Sequence, residues 1–466
     1  MKRCSVRWIL VTVLTGIVLL GAAGYACASL LKDAGGFTYG QRGKAGDAHA
    51  ADGLKITKRY SVSTTSVTNS DYWIAEGEFR YQNGELEVSS KRISGLLSEQ
   101  EEELKDYLNS GTTGPRFYIN VELYPLEEEL LRTYGSERPV IINLSEYYEY
   151  YPLSWTIRIP QDGYYLTKEY DRENRKSDEV LQKRFPVPVL KNETYLLNYY
   201  GSSGLEGNSD FYEVTDYSDL QSVGSDSEIF FLVRNRSAYG NPVDMSNLKD
   251  GYGIYRIPYR ITKKNGEKEI EADADEISLF YPLPEDVNVI SLTLTADAGT
   301  LILRTEENER CILTMINAKT AEKLASFDLG STEDYFILQS GNLRTDYMVA
   351  YAEGYIHVLG KDTNGQWADR LKIPVAGEIN TGLSRLKRAW ELMHTNDGSI
   401  VRYAYDGEER LAIVSCSDNH PEQLSVTILT KDGVQFTDVM GLSVSDSVSL
   451  FTEGYYSGNM YTAEWE

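Results

Sequence analysis

Between Arg310 and Gly330 the chain runs RCILTMINAKTAEKLASFDLG: an apolar stretch, a short polar break, and a second stretch in which apolar and polar side chains alternate up to a glycine. Alternation with a period of two places every second side chain on one face, as in a half-buried strand. The pattern predicts strands over Cys311 to Ile316 and Leu324 to Leu329, a turn at Asn317 to Thr320, and an antiparallel hairpin closed by Gly330. A comparable unit starts at Tyr355, YIHVLGKDTNGQWADRLKIPVAG, with its turn at Asp362 to Gly365 and its closing glycine at Gly377. A looser third, RLAIVSCSDNHPEQLSVTILTKDG, starts at Arg410. The starts lie 45 and 55 residues apart, and other strand pairs, such as Ile290 to Arg304, precede them.

Turn chemistry extends this reading over most of the chain. Asn83-Gly84, Asn265-Gly266, Asn364-Gly365, Asp397-Gly398, Asp406-Gly407 and Asp432-Gly433 each separate runs rich in β-branched or aromatic residues. Such dipeptides accept the positive φ values of two-residue hairpin turns. The 35 tyrosines fit the same picture, since aromatic rings pack well on pleated surfaces. The densest tyrosine run, SEYYEYYPLSW from Ser145 to Trp155, reads as strand with rings on the sheet faces, in preference to a sugar-stacking platform. Helix signals are confined to the first third: Ser98 and Glu101 form a capping box ahead of EEELKDYLNSG, and LEEELLRTYG spans Leu126 to Gly135.

Four strands recurring at this spacing are what a propeller blade supplies, at roughly 40 to 50 residues per blade. The unit at Arg310 resembles the outer strand pair of bacterial extracytoplasmic β-propeller proteins with YVTN-type or WD40-like repeats, and the resemblance covers mainly residues 289–377. It implies an all-β, β-propeller-like fold of about seven or eight blades with a few short helices. An N-terminal α+β subdomain over 59–186 followed by a smaller propeller is the alternative, and a series of β-sandwiches also produces hairpins at such intervals.

The N-terminus differs in kind. Trp8 to Ala28 contains no charged residue, a length that can cross the hydrocarbon layer as a helix of about 20 residues. Lys2, Arg3 and Arg7 precede it, which puts the N-terminus in the cytoplasm and the rest outside. Ala26-Cys27-Ala28 also fits a cleavage site, so secretion after cleavage near Ala28 is the alternative. The expected organisation is a cytoplasmic tail over 1–7, a transmembrane anchor or signal peptide over 8–28, a flexible Gly/Ala-rich stalk over 29–58, and an extracytoplasmic domain over 59–466, with 59–186 as a candidate subdomain.

Charge changes the list of partners. The net charge is −24, and the first 28 residues carry three positive side chains and no negative one, so the remainder carries −27. Nucleic acid is bound through basic patches, so no nucleic-acid partner is expected. Beyond the leader only Cys311 and Cys416 remain, which is no disulfide framework; buried strand positions are the simplest reading, with one bridge between them as the alternative.

Catalytic signatures are scarce. The four histidines, His49, His357, His394 and His420, form no paired metal-ligand spacing, and no G-x-S-x-G elbow occurs. Ser384 to Lys387, Ser417 to Asn419 and Lys431 to Gly433 imitate the motif order of penicillin-binding enzymes, but the third lacks its threonine and β-patterned sequence surrounds them. The metal candidates are oxygen donors for calcium at Asp362 with Asn364 and at Asp273 with Asp275; neither pair completes a D-x-D-x-D-G loop, and no other cofactor is expected. The reading is a membrane-anchored extracytoplasmic binding or scaffolding protein for a protein or cell-envelope ligand. The other classes are a cell-surface enzyme acting on glycan or peptide, and a purely structural surface protein.

Overall fold

The computed structural model describes residues 37–64, 72–94, 114–135, 139–161, 164–171, 173–198, 203–207, 222–237, 239–264, 266–295, 297–331, 335–337, 347–374, 400–417, 420–444, 448–450 and 461–466. These are mostly strands; the two α-helices described are α1, Tyr124–Tyr134, and α2, Glu179–Arg184. Two compact units divide the chain, residues 1–109 with 371–466 and residues 110–370.

In the 110–370 unit the hairpin at Arg310 forms as its pattern dictates. Arg310–Asn317 and Lys323–Ser331 pair antiparallel, and Asn288–Leu294 and Thr300–Glu307 precede them in a four-stranded sheet whose spatial order follows the chain. Tyr335–Ile337, Tyr347–Ala352, Tyr355–Lys361 and Trp367–Pro374 repeat that order in a second sheet. Neither sheet can bury a face alone. Ile302, Leu313 and Met315 from the first therefore share a dry layer with Met348, Ala350, Leu359 and Trp367 from the second, and Cys311 is buried in it. Lys361 Nζ crosses between them to Asp297 Oδ2 at 2.8 Å.

A third sheet of the unit runs Ser222–Gly224, Glu228–Leu232, Gly253–Pro258, Ser278–Pro282. Its last two strands are adjacent in space although a whole hairpin, Arg260–Lys264 with Glu267–Glu271, lies between them in sequence. Two three-stranded sheets, one with Arg116–Val121, Leu153–Gln161 and Tyr164–Glu169, the other with Val140–Asn143, Glu193–Leu197 and Ser203–Gly207, complete the unit. Phe117, Trp155, Phe185, Phe231 and Tyr255 form a chain of stacked, tilted and edge-to-face ring contacts in their common core.

The other unit is built from the two ends of the chain. Phe37–Gly46 pairs antiparallel with Gly433–Val444, which continues through His420–Thr430 and Leu411–Ser417 to Ile400–Tyr405. Leu54–Thr64 lies between Tyr72–Gln82 and the C-terminal strand Tyr461–Trp465. Leu54, Ile56 and Phe79 of this sheet meet Ala412, Val414, Val426 and Phe436 of the other.

Two expectations need correction. Residues 37–58 are not a stalk: they form the strand Phe37–Gly46, a 3-10 turn at Ala48–Ala51 and the start of Leu54–Thr64. Gly46, one of the glycines that read as flexibility, instead allows close backbone approach; a Cβ on it would stand 2.1 Å from the Gln435 carbonyl oxygen. The tyrosine-rich run is also no continuous strand: Leu144–Glu146 is a 3-10 turn, Tyr147 is exposed, and the strand begins only at Leu153. No helix among the described residues is long and apolar enough to cross a membrane. Residues 8–28, which carry the anchor expectation, and the helix expected after Ser98 lie outside the described residues.

Candidate functional site

RITKKNGEKEIE, residues 260–271, is charged along most of its length, so its hairpin has little to bury; Ile261 opposite Ile270 is its one apolar cross-strand pair. It stands out from the third sheet at the point where the chain leaves Pro258 and returns to the 3-10 turn Ala274–Glu276. At its root lies a cleft of ≈ 370 Å³ lined by Lys168, Pro258, Tyr259, Arg260, Glu271, Ala272, Asp273 and Glu276.

Most of these groups are already held. Lys168 Nζ donates to the Ala272 carbonyl at 2.9 Å and sits 5.5 Å from the centre of the Trp155 ring, a cation-π arrangement. Tyr259 is buried and its hydroxyl donates to the Ser225 carbonyl at 2.7 Å; burial, then the charge of Asp226, push that hydroxyl well above the usual phenol range. Glu271 Oε1 accepts from Thr262 Oγ1 at 3.2 Å. Asp273 Oδ1 accepts from the Asp275 N–H at 3.0 Å, capping the turn. Among the described residues Arg260 and Glu276 have no side-chain partner, and both are exposed. The cleft thus presents one cation and one carboxylate within a fixed polar wall.

The calcium candidates do not assemble. Asp273 reaches the cleft as a cap, whereas Asp362 and Asn364 form the Tyr355–Lys361/Trp367–Pro374 turn, where Asp362 Oδ1 accepts from the Asn364 and Gln366 N–H groups, each at 2.8 Å. Backbone hydrogen bonding from Gln366 holds the Asp362 carboxyl below its usual value. No group of three or more His, Cys, Asp or Glu side chains among the described residues is arranged to hold a metal.

Two features escaped the sequence reading. His357 Nδ1 lies 2.8 Å from Asp369 Oδ2 across the same hairpin; the two positions are equidistant from residue 363, so the predicted turn contained the signal. Glu122 follows the strand Arg116–Val121, and its carboxyl is pushed upward by burial, with Glu127 adding to this, while the Tyr124 N–H and Arg175 oppose it. Nothing in the local pattern marks Glu122, because its burial depends on chain packed around it.

No protein-family model matches the chain, and no curated protein matches it. Solved structures do. The periplasmic gluconolactonase of Pseudomonas aeruginosa is similar at 11% identity, over 84% of this chain and 98% of that one, with a TM-score of 0.27. AztD from Citrobacter koseri is similar at 10% identity, over 88% and 98%, with a TM-score of 0.24. The β-propeller domain of Myceliophteria thermophila Cps50 (Swd1) is similar at 8% identity, over 65% and 94%, with a TM-score of 0.23. Likeness this distant transfers no activity.

Proposed function

We propose that this chain is an extracytoplasmic binding protein of propeller-like build that takes a polar protein or cell-envelope ligand in the cleft at the root of the 260–271 hairpin. The observation that carries the reading is the insertion itself: a charged hairpin interrupts an otherwise regular four-stranded sheet and leaves Arg260 and Glu276 facing a cleft without side-chain partners. An insertion that adds only Ile270 to the core but shapes a cleft fits recognition. The uncharged leader over Trp8 to Ala28 supports placement outside the membrane. Consecutive four-stranded sheets in chain order support the propeller-like build.

The test is a column of the protein from residue 37 to 466 challenged with detergent-solubilised envelope proteins and with isolated cell-wall fragments, beside an Arg260→Glu column. Retention of one component by the wild type and its loss from the variant is expected. Equal retention by both overturns the assignment of the cleft. The competing reading, an enzyme acting on surface glycan or peptide, is favoured by the raised carboxyl of Glu122 beside Glu127. It requires sugars or peptides to be released from the wall fragments, and that release to vanish in Glu122→Gln.

A further inference from the structure

Beyond the end of the strand Glu228–Leu232 the chain forms a loop whose arms are tied together. The Val243 N–H donates to the Asn235 carbonyl at 2.9 Å and the Ser237 N–H to the Asn241 carbonyl at 2.8 Å. Asn235 Nδ2 donates to the Glu285 and Val287 carbonyls at 2.9 and 2.6 Å, which fastens the loop to the segment entering Asn288–Leu294. These pieces enclose a cavity of ≈ 30 Å³, lined by apolar Leu232, Val233 and Val289 and by polar Arg234, Arg236 and Tyr252.

The donors of this cavity are not used up. Tyr252 is only 3% exposed, and among the described residues its hydroxyl has no hydrogen-bond partner. Arg236 Nη1 donates to the Gly240 carbonyl at 2.9 Å, which orients the guanidinium and leaves its other edge, Nε with Nη2, without an acceptor among the described residues; Nε is buried. Buried donors of this kind nearly always find a partner. Burial pushes the Tyr252 hydroxyl well above the usual phenol range, and the charge of Arg236 works against that rise. Asn288, also in the wall, is already engaged: its Nδ2 donates to Glu306 Oε2 at 2.8 Å.

Size and charge select the occupant. The volume holds about two water-sized atoms, which is the number of oxygens in one carboxylate and fewer than a phosphate or a sugar ring brings. The Nε–Nη2 edge of an arginine meets two carboxylate oxygens with parallel hydrogen bonds, and a phenol beside it adds a further donor. Two guanidinium groups in one wall disfavour a cation.

We propose that this cavity binds a single carboxylate group, clamped by the Nε–Nη2 edge of Arg236 and the Tyr252 hydroxyl. It shares no lining residue with the cleft at the root of the 260–271 hairpin, so the two assignments stand or fall separately.

The probe is formate, titrated against the protein at constant ionic strength and followed by broadening of its proton resonance, with methylammonium and chloride as cation and halide counterparts. Formate is expected to bind, methylammonium not to bind, and chloride to compete only at much higher concentration. Tyr252→Phe removes a hydroxyl that has no partner, so it should keep the thermal midpoint of the ligand-free protein while weakening formate about tenfold. Arg236→Lys keeps the charge but loses the paired edge and should weaken formate about as much. Arg260→Glu should leave formate binding unchanged. Acetate and a blocked peptide carrying one aspartate then identify the source: competition by acetate alone supports a small free acid, and competition by the peptide supports an acidic side chain of a partner. No broadening of formate, equal broadening with wild type and both cavity variants, or chloride binding as tightly as formate overturns the proposal, and leaves the cavity to ordered water or a simple halide.

Discussion

Asp297 shows how a single side chain can join two sheets. Burial works to raise its carboxyl, but hydrogen bonds from Lys361, Thr295 Oγ1 and the Gly299 N–H outweigh it and hold the group at about 2. A carboxyl depressed in the folded state contributes stability above its unfolded value, 3.8, and loses that contribution as pH falls toward about 2. Asp297→Asn should therefore lower the thermal midpoint near neutrality, and the gap from wild type should close between pH of about 4 and about 2. A gap unchanged across that window would remove Asp297 as its source. In the other unit, Asp438 is buried beside Phe436 and Met440 and accepts from the Tyr81 hydroxyl at 3.1 Å. Asp438→Ala strands a buried hydroxyl and should cost roughly 2–5 kcal/mol in urea unfolding, with Asp438→Asn costing less. Neither residue was legible in the sequence. An aspartate among 70 acidic residues reads as solvated surface until the fold supplies its donors.

At the scale of elements, what could be read depended on how far apart the paired strands lie. Hairpins were legible because both strands and the turn share one window: Asn83 and Gly84 adopt φ of 53° and 72° as the dipeptide requires, and Asp432-Gly433 turns Thr430 back to its partner. The strand Phe37–Gly46 was not legible, because its partner lies some 400 residues away and its own sequence lacks apolar alternation. Gly46 also carries the steric demand of that pairing. Gly46→Ala places a methyl against the Gln435 carbonyl at a φ of 90° and should destabilise the unit by about 1–3 kcal/mol, measurable as a lower thermal midpoint. The candidate cleft was half legible. Asp273 stood out in EADADE and the predicted Asn265-Gly266 turn sets Arg260 opposite Glu271, but Lys168 is brought beside them only when a distant strand packs under the hairpin root.

Across the whole molecule, the unit made from both chain ends sets the terms on which this protein becomes a folded object. Trp465 donates its indole N–H to the Ala404 carbonyl at 2.9 Å, and the Arg410 guanidinium lies 4.2 Å from the centre of the Trp465 ring while donating to the Ala50 and Asp52 carbonyls. Arg410, just ahead of the strand Leu411–Ser417, thus ties that strand to the 3-10 turn that precedes Leu54–Thr64 and to the strand Tyr461–Trp465. Arg410→Ala should loosen all three, visible as faster amide exchange over 54–64 with exchange over 300–331 unchanged. Ending the chain at Met460 should do the same more severely, leaving 37–94 open to protease while 114–370 resists it. During synthesis, the strand Phe37–Gly46 emerges long before its partner Gly433–Val444, and Leu54–Thr64, which can pair with Tyr72–Gln82 early, waits for Tyr461–Trp465 to cover its other edge. A chain interrupted between residues 94 and 433 leaves Phe37–Gly46 and one edge of Leu54–Thr64 without their strand partners, and such open edges invite pairing with other chains or cleavage by protease.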